Sequence, residues 1–257
     1  MLDAARAVGR RKRLSVSRRI VCDLLHFASK TPHCPIERSL DLGSLAAARE
    51  AAAERIGWAA IFLKAYGLVA ARQPALRQAW LAWPWAHLYE HPLSVAMLAI
   101  QRERGGESEL YFGRFLAPEN QSLVEIQQAI DGYKHGPVEQ VFRKQLRLAN
   151  LPTPIRRILW WCNLNLSGSA RARRLGTFGM STLAAAGAIN RQHPSCLSTS
   201  LTYGPLDEDG RMLVTILYDH RLVDGEPMCR VLRDLEAVLR GELADELRGL
   251  CERAQAA

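Results

Sequence analysis

Apolar positions are most regular in the last third of the chain. Met228, Val231, Leu232, Leu235, Val238 and Leu239 recur at intervals of three and four, which predicts a helix with one buried face. Upstream, residues 196–203 and 212–218 are short β-branched and aromatic runs, read as strands. The Asp207-Glu208-Asp209-Gly210 segment between them predicts an antiparallel hairpin, with Gly210 free to take positive φ. Residues 45–55 read as an alanine-rich helix and residues 58–72 as a more apolar one, stopped before Gln73-Pro74. Strands are expected near 86–88 and 93–100 and, beyond a Gly105-Gly106 turn, over 110–116. Pro118 is expected to open a helix that buries Leu123, Ile126 and Ile130. Residues 137–166 read as basic and mostly helical, interrupted by Pro152 and Pro154. Strands and helices mix without regular β-α alternation, so the expected class is α+β.

Composition adds limits. The 257 residues, 48% of them apolar, suffice for one large domain with a real core. No apolar run reaches the roughly 18–20 residues that span a bilayer, and no secretory signal pattern follows the basic amino terminus. Residues 1–13 are read as a flexible basic arm and residues 14–257 as a single domain. The six cysteines form no C-x-x-C pair, which argues against a zinc ribbon or redox pair and fits reduced thiols in the cytoplasm. No metal site is expected.

The net charge of +8 is concentrated at Arg10–Arg19 and between Arg143 and Arg174. Such an excess suits nucleotide phosphates, an acidic carrier protein or anionic lipid, or else is a solvated face. Nucleic acid fits least, because no binding motif accompanies the charge. Ile155, Ile158, Leu159, Trp160 and Trp161 form an apolar patch, read as core or subunit contact in preference to a membrane-surface helix.

The candidate chemistry centres on His220. The apolar strand that ends at Tyr218 delivers it onto a loop, a rigid seat for a general base. An imidazole, with its ordinary pKa of about 6.5, suits proton abstraction near neutrality. Asp224, four residues later, is placed to cap the following helix or to pair with an arginine. By itself this string also fits a loop histidine with a capping aspartate.

Asp219-His220-Arg221-Leu222-Val223-Asp224-Gly225 resembles the signature of the dihydrolipoamide acyltransferase catalytic cores of 2-oxo acid dehydrogenase complexes, which share a fold with chloramphenicol acetyltransferase. Gly176-Thr177-Phe178-Gly179-Met180-Ser181-Thr182-Leu183 is similar to that family's Gly-Thr-Phe-Thr-Ile-Ser-Asn-Leu segment. Ser29-Lys30-Thr31-Pro32-His33, Lys64-Ala65, Gln73-Pro74 and Ser122-Leu123-Val124-Glu125-Ile126 resemble further family segments in the same order, so the likeness runs from about Arg13 to about Gly241.

The resemblance implies a two-layer α+β sandwich of mixed sheet and helices. It implies a coenzyme A thioester as donor or product and an acceptor thiol, hydroxyl or amine, with a carrier protein among the candidate partners. It assigns His220 as general base, Ser181 as the hydroxyl that stabilises the oxyanion, with Thr182 its close competitor, and Asp224 as the residue that holds the loop. Arg18, Arg19 and Arg221 are the candidate partners of Asp224. It also implies homotrimers, or larger assemblies of trimers, with each site shared between chains. The chain departs from the family in three respects. No lipoyl or subunit-binding domain is expected, residues 109–115 lack the family's proline, and the connection from Ile126 to Gly176 is longer. Two rival readings are a non-catalytic trimeric scaffold, which would need neither His220 nor Ser181, and a peptide-synthetase condensation domain, which is usually longer and carries a second histidine where this chain has Asp219.

Overall fold

The computed structural model of the chain describes residues 9–255. Of the expected basic arm, residues 1–8 lie outside the described residues, and residues 9–13 precede the first helix without regular structure. In chain order the elements are α1 (Val16–Ala28), β1 (His33–Asp41), α2 (Gly43–Ala51), α3 (Trp58–Arg72), β2 (Gln78–Leu81), β3 (His87–Glu90), β4 (Val95–Arg104) and β5 (Glu107–Leu116). Then come α4 (Leu123–His135), α5 (Val138–Val141), α6 (Arg143–Ala149), α7 (Thr153–Asn165), α8 (Gly168–Leu175), β6 (Phe178–Met180), β7 (Thr199–Leu206), β8 (Arg211–Asp219), α9 (Gly225–Val238) and α10 (Ala244–Gln255).

Six strands form one mixed sheet in the order β1-β8-β7-β6-β4-β5, and β2 and β3 form a separate hairpin. The β4, β6 and β7 strands run parallel, whereas β1–β8, β7–β8 and β4–β5 are antiparallel. The expected hairpin is therefore β7–β8, with Gly210 at φ 74°, and Gly105 and Gly106 turn β4 into β5 as expected. One face of the sheet, with Leu98, Phe178, Leu201, Val214 and Ile216, packs on α3 and α9 in the main core. Helix α3 is apolar on most of its circumference because it lies in the middle of that layer. Its Tyr66 donates a hydrogen bond to Thr199 Oγ1 at 2.8 Å, and burial keeps the phenol protonated. The result is an α+β fold of mixed sheet and helices.

Several elements escaped the pattern, among them α1, β1, β2, β6, α8 and α10. Helix α1 and strand β1 are half-buried and carry polar residues on their open faces, so neither shows a clean period. Strand β2 is four residues long. The helix expected at Pro118 instead starts at Leu123. Pro118–Asn120 make a short 3₁₀ turn, and Ser122 and Glu125 form a reciprocal capping box that outcompetes proline as the start signal.

The basic, apolar stretch before β6 also resolves differently from either simple reading. Trp160 joins Ile20, Phe27, Leu164 and Cys196 in a second, smaller core, whereas Ile155, Ile158, Leu159 and Trp161 are exposed. Two of the arginines are neither a solvated face nor free for a partner. Arg156 is buried and donates to Asp23 at 2.6 Å, tying α7 to α1. Arg171 is buried with its guanidinium on the carbonyls of Trp80, Leu164 and Cys196.

Candidate active site

His220 follows the last residue of β8, where the chain must leave the sheet. Asp219, fully buried, ends the strand and organises the exit. Its carbonyl accepts the N–H of Leu222 at 2.9 Å, and its carboxylate accepts the Arg221 N–H at 3.1 Å. The Arg221 guanidinium grips the same carboxylate with two prongs, Nε to Oδ1 at 2.9 Å and Nη2 to Oδ2 at 2.6 Å. The guanidinium also lies over the Trp80 ring, 4.2 Å from its centroid, so β2 supports the loop from one side. From the other side the His220 N–H donates to the Pro32 carbonyl at 3.3 Å.

The His220 ring is half exposed and tilted against Tyr218, with centroids 5.6 Å apart. Its Nδ1 stands 3.4 Å from Asp224 Oδ1. No other side chain among the described residues holds the ring, which leaves Nε2 open. A carboxylate on the Nδ1 side favours the tautomer that carries its proton there, with the Nε2 lone pair free to accept one.

Two expectations for Asp224 need correction. It occupies the N-cap position of α9, but its side chain makes no cap hydrogen bond, being 82% exposed and turned toward His220. None of the candidate arginines pairs with it. Arg221 is held by Asp219, and Arg19 reaches the Ala149 carbonyl. The physical reason is local, since a buried carboxylate two residues from Arg221 attracts it more strongly than an exposed one.

Ser181 lies just past β6. Gly176 sets up that strand at φ 98°, where a Cβ would stand 2.9 Å from the Val95 carbonyl. Thr177 then docks on Val95 through its backbone N–H and its hydroxyl. The Ser181 N–H donates to the Leu201 carbonyl at 3.1 Å, and its half-buried hydroxyl has no partner among the described residues. The competing Thr182 hydroxyl is occupied, donating to the Tyr203 carbonyl at 2.9 Å and accepting from Ala184 N at 3.1 Å. That leaves Ser181 as the free donor of the two.

The register separates His220 from Ser181 within one chain. Ser181 continues β6 beside Thr202, which pairs with Thr215, while His220 lies five residues beyond Thr215, just past the end of β8. At about 3.3 Å per residue this is roughly 16 Å along the strands, with two strand spacings of about 4.8 Å across them.

The sequence reading missed the Asp219–Arg221–Trp80 clamp and a pair of partly buried histidines. His33, opposite Asp219 in the β1–β8 ladder, donates through Nε2 to the Leu197 carbonyl at 2.8 Å, and burial lowers its pKa. His193 Nε2 shares a 2.5 Å hydrogen bond with Ser200 Oγ. Burial, and then the neighbouring His33, push its pKa down to about 4. A Cβ on Gly179 would come within 2.7 Å of that Ser200 hydroxyl, which accounts for glycine in the β6 segment. Cys196 is buried and its thiol is pushed up to about 11, so it is no nucleophile at neutral pH. Cys22, Cys34, Cys162, Cys196 and Cys229 are free thiols. No group of metal ligands forms, and no helix is long and apolar enough to cross a membrane, among the described residues.

No family sequence profile matches the chain, and no curated protein sequence matches it. Solved structures do. One is the dihydrolipoamide acetyltransferase of Azotobacter vinelandii, investigated for the role of a serine, a histidine and an asparagine in its catalytic mechanism. It is 16% identical over 95% of this chain and 96% of its own, with a TM-score of 0.67. A catalytic core of the 2-oxoacid dehydrogenase multienzyme complex from Thermoplasma acidophilum is 16% identical over 91% of this chain and 99% of its own, with a TM-score of 0.64. A chloramphenicol acetyltransferase is 12% identical over 90% of this chain and all (100%) of its own, with a TM-score of 0.50. Topology and coverage agree, and the chain therefore has the acyltransferase fold shared by the 2-oxo acid dehydrogenase catalytic cores and chloramphenicol acetyltransferase.

Proposed function

We propose that the protein is an acyltransferase that moves an acyl group between a coenzyme A thioester and a thiol, hydroxyl or amine acceptor. The observation that carries this reading is the state of His220, clamped at the backbone on both sides yet open at Nε2. In the forward direction Nε2 takes the proton of the acceptor as the acceptor attacks the thioester carbonyl. The tetrahedral oxyanion needs a donor, and the free Ser181 hydroxyl suits that role. Collapse breaks the carbon–sulfur bond, and the departing thiolate of coenzyme A recovers the proton from His220. Asp224 keeps the imidazole in the working tautomer and stabilises the transient imidazolium.

The separation of His220 and Ser181 within one chain favours a site shared between copies, with His220 of one subunit facing Ser181 of the next, in a homotrimer or an assembly of trimers. The likeness to cores of multienzyme complexes supports the same arrangement. In this reading the enzyme works in the cytoplasm and receives its substrate free or on a carrier protein.

The test is to incubate the protein with a panel of acyl-CoAs and thiol, hydroxyl and amine acceptors and to follow coenzyme A release. Turnover that His220→Ala abolishes is the expected result. No turnover with any pair would sink the proposal and leave the scaffold reading in its place.

A further inference from the structure

Helix α7 is built inside out. Its inward residues include Arg156, Trp160 and Leu164, and Arg156 is there because it neutralises Asp23. Its outward stripe is Ile155, Ile158, Leu159 and the partly buried Cys162, continued by Leu166 at the C-cap, at intervals of three and four, with no hydrogen-bonding side chain except the thiol. Ile158 is 62% exposed, and Trp161 at the flank is 42% exposed. Soluble surfaces rarely carry a contiguous apolar stripe of this kind without a use for it.

The chain segments that build this face carry charge of nearly one sign. Between Glu139 and Asp207 the sequence contains no Asp or Glu, and every charged residue in that interval is Arg or Lys. Among described residues ahead of Glu37, the one carboxylate is Asp23, buried beneath Arg156 and Arg157. A shallow concavity between α1 and α7 is lined by His26, Phe27, Lys30, Arg157, Ile158 and Trp161. There His26 is held below its ordinary pKa by desolvation and then by the charges of Arg157 and Lys30, with Asp23 opposing them.

We propose that this α7 face, with the α1–α7 concavity beside it, docks on the surface of an anionic lipid bilayer. Apolar side chains along one helix, a tryptophan at the flank and a surround of arginine and lysine are what an interfacial helix needs. A second copy of this chain would bring like charges together. An acidic polypeptide would satisfy the charge, but an outward stripe without hydrogen-bonding groups gives it no register. The face contains neither His220 nor Ser181, so the proposal stands apart from the reading of the active site.

The experiment is flotation of the full chain with vesicles of phosphatidylcholine, with and without phosphatidylglycerol. The chain should float with the anionic vesicles alone and be released by salt. Ile158→Asp should abolish flotation, and Lys30→Gln should weaken it about fivefold. Both variants should keep the far-ultraviolet circular dichroism and melting temperature of the parent. No flotation with anionic vesicles, equal flotation with neutral ones, or full flotation of Ile158→Asp would overturn the proposal. So would a fall in solution mass on Ile158→Asp, which would make the face a contact between copies. Binding to polyglutamate that Ile158→Asp weakens as much as it weakens flotation would assign the face to an acidic polypeptide instead.

Discussion

Arg221 and Asp219 form a two-pronged ion pair that straddles His220, so the residues on either side of the proposed base are locked to each other. Asp219 is fully buried and Arg221 covers it while stacking on Trp80. The position of the imidazole is thus set by its neighbours in sequence more than by its own contacts.

Removing Arg221 should leave the buried Asp219 carboxylate uncompensated. We expect Arg221→Met to cost ~3–5 kcal/mol in urea unfolding and to lower turnover with it. Asp224→Ala, by contrast, removes an exposed side chain that caps nothing and should change stability by less than about 0.5 kcal/mol while still lowering turnover. Equal losses of stability from the two would show that Asp224 holds the loop as much as the Asp219–Arg221 pair does.

His220→Ala should leave the fold and oligomer intact, because the ring is half exposed, and should reduce turnover by about 10²–10⁴-fold. Ser181→Ala should cost on the order of 10²–10³. If the site is shared between chains, mixing the two inactive variants with subunit exchange verified by mass should restore activity above the sum of the parents. A monomer by light scattering would end the shared-site account directly.

The Asp23–Arg156 pair joins α1 to α7 with both side chains buried. Asp23→Ala should destabilise the protein by ~3–5 kcal/mol, because it strands a buried guanidinium. The double variant Asp23→Leu with Arg156→Met should recover much of that loss, as measured by a double-mutant cycle in urea.

His193 supplies a pH dependence. Its pKa falls from an ordinary 6.5 to about 4 on folding, so the unfolded chain binds the proton first. The stability that goes with the neutral ring is complete above pH 6.5 and is lost as the pH falls toward 4, by at most ~3 kcal/mol. Melting temperatures of His193→Gln should decline less steeply over that window than those of the parent. An unchanged slope would exclude His193 as the group responsible.

The sequence by itself determined much of the fold. Helix α9, the β7–β8 hairpin and the buried helix α3 each carry an unbroken apolar period or a turn signal, and local chemistry dictates such elements. It also put forward His220, from the strand-to-loop pattern, and Ser181, from the resemblance of its glycine-threonine segment, because each lies within a short stretch of chain. Other features were decided only by the tertiary structure. Arg221 chose Asp219 over Asp224, Arg156 and Arg171 went inward, and Trp160 and Trp161 parted to opposite sides of one helix surface. Each of these depends on which residues are buried together, and burial decides how strongly a charge or an apolar group is attracted to its neighbour. Residues far apart in sequence, such as Asp23 and Arg156 or Trp80 and Arg221, leave no periodic trace of their meeting.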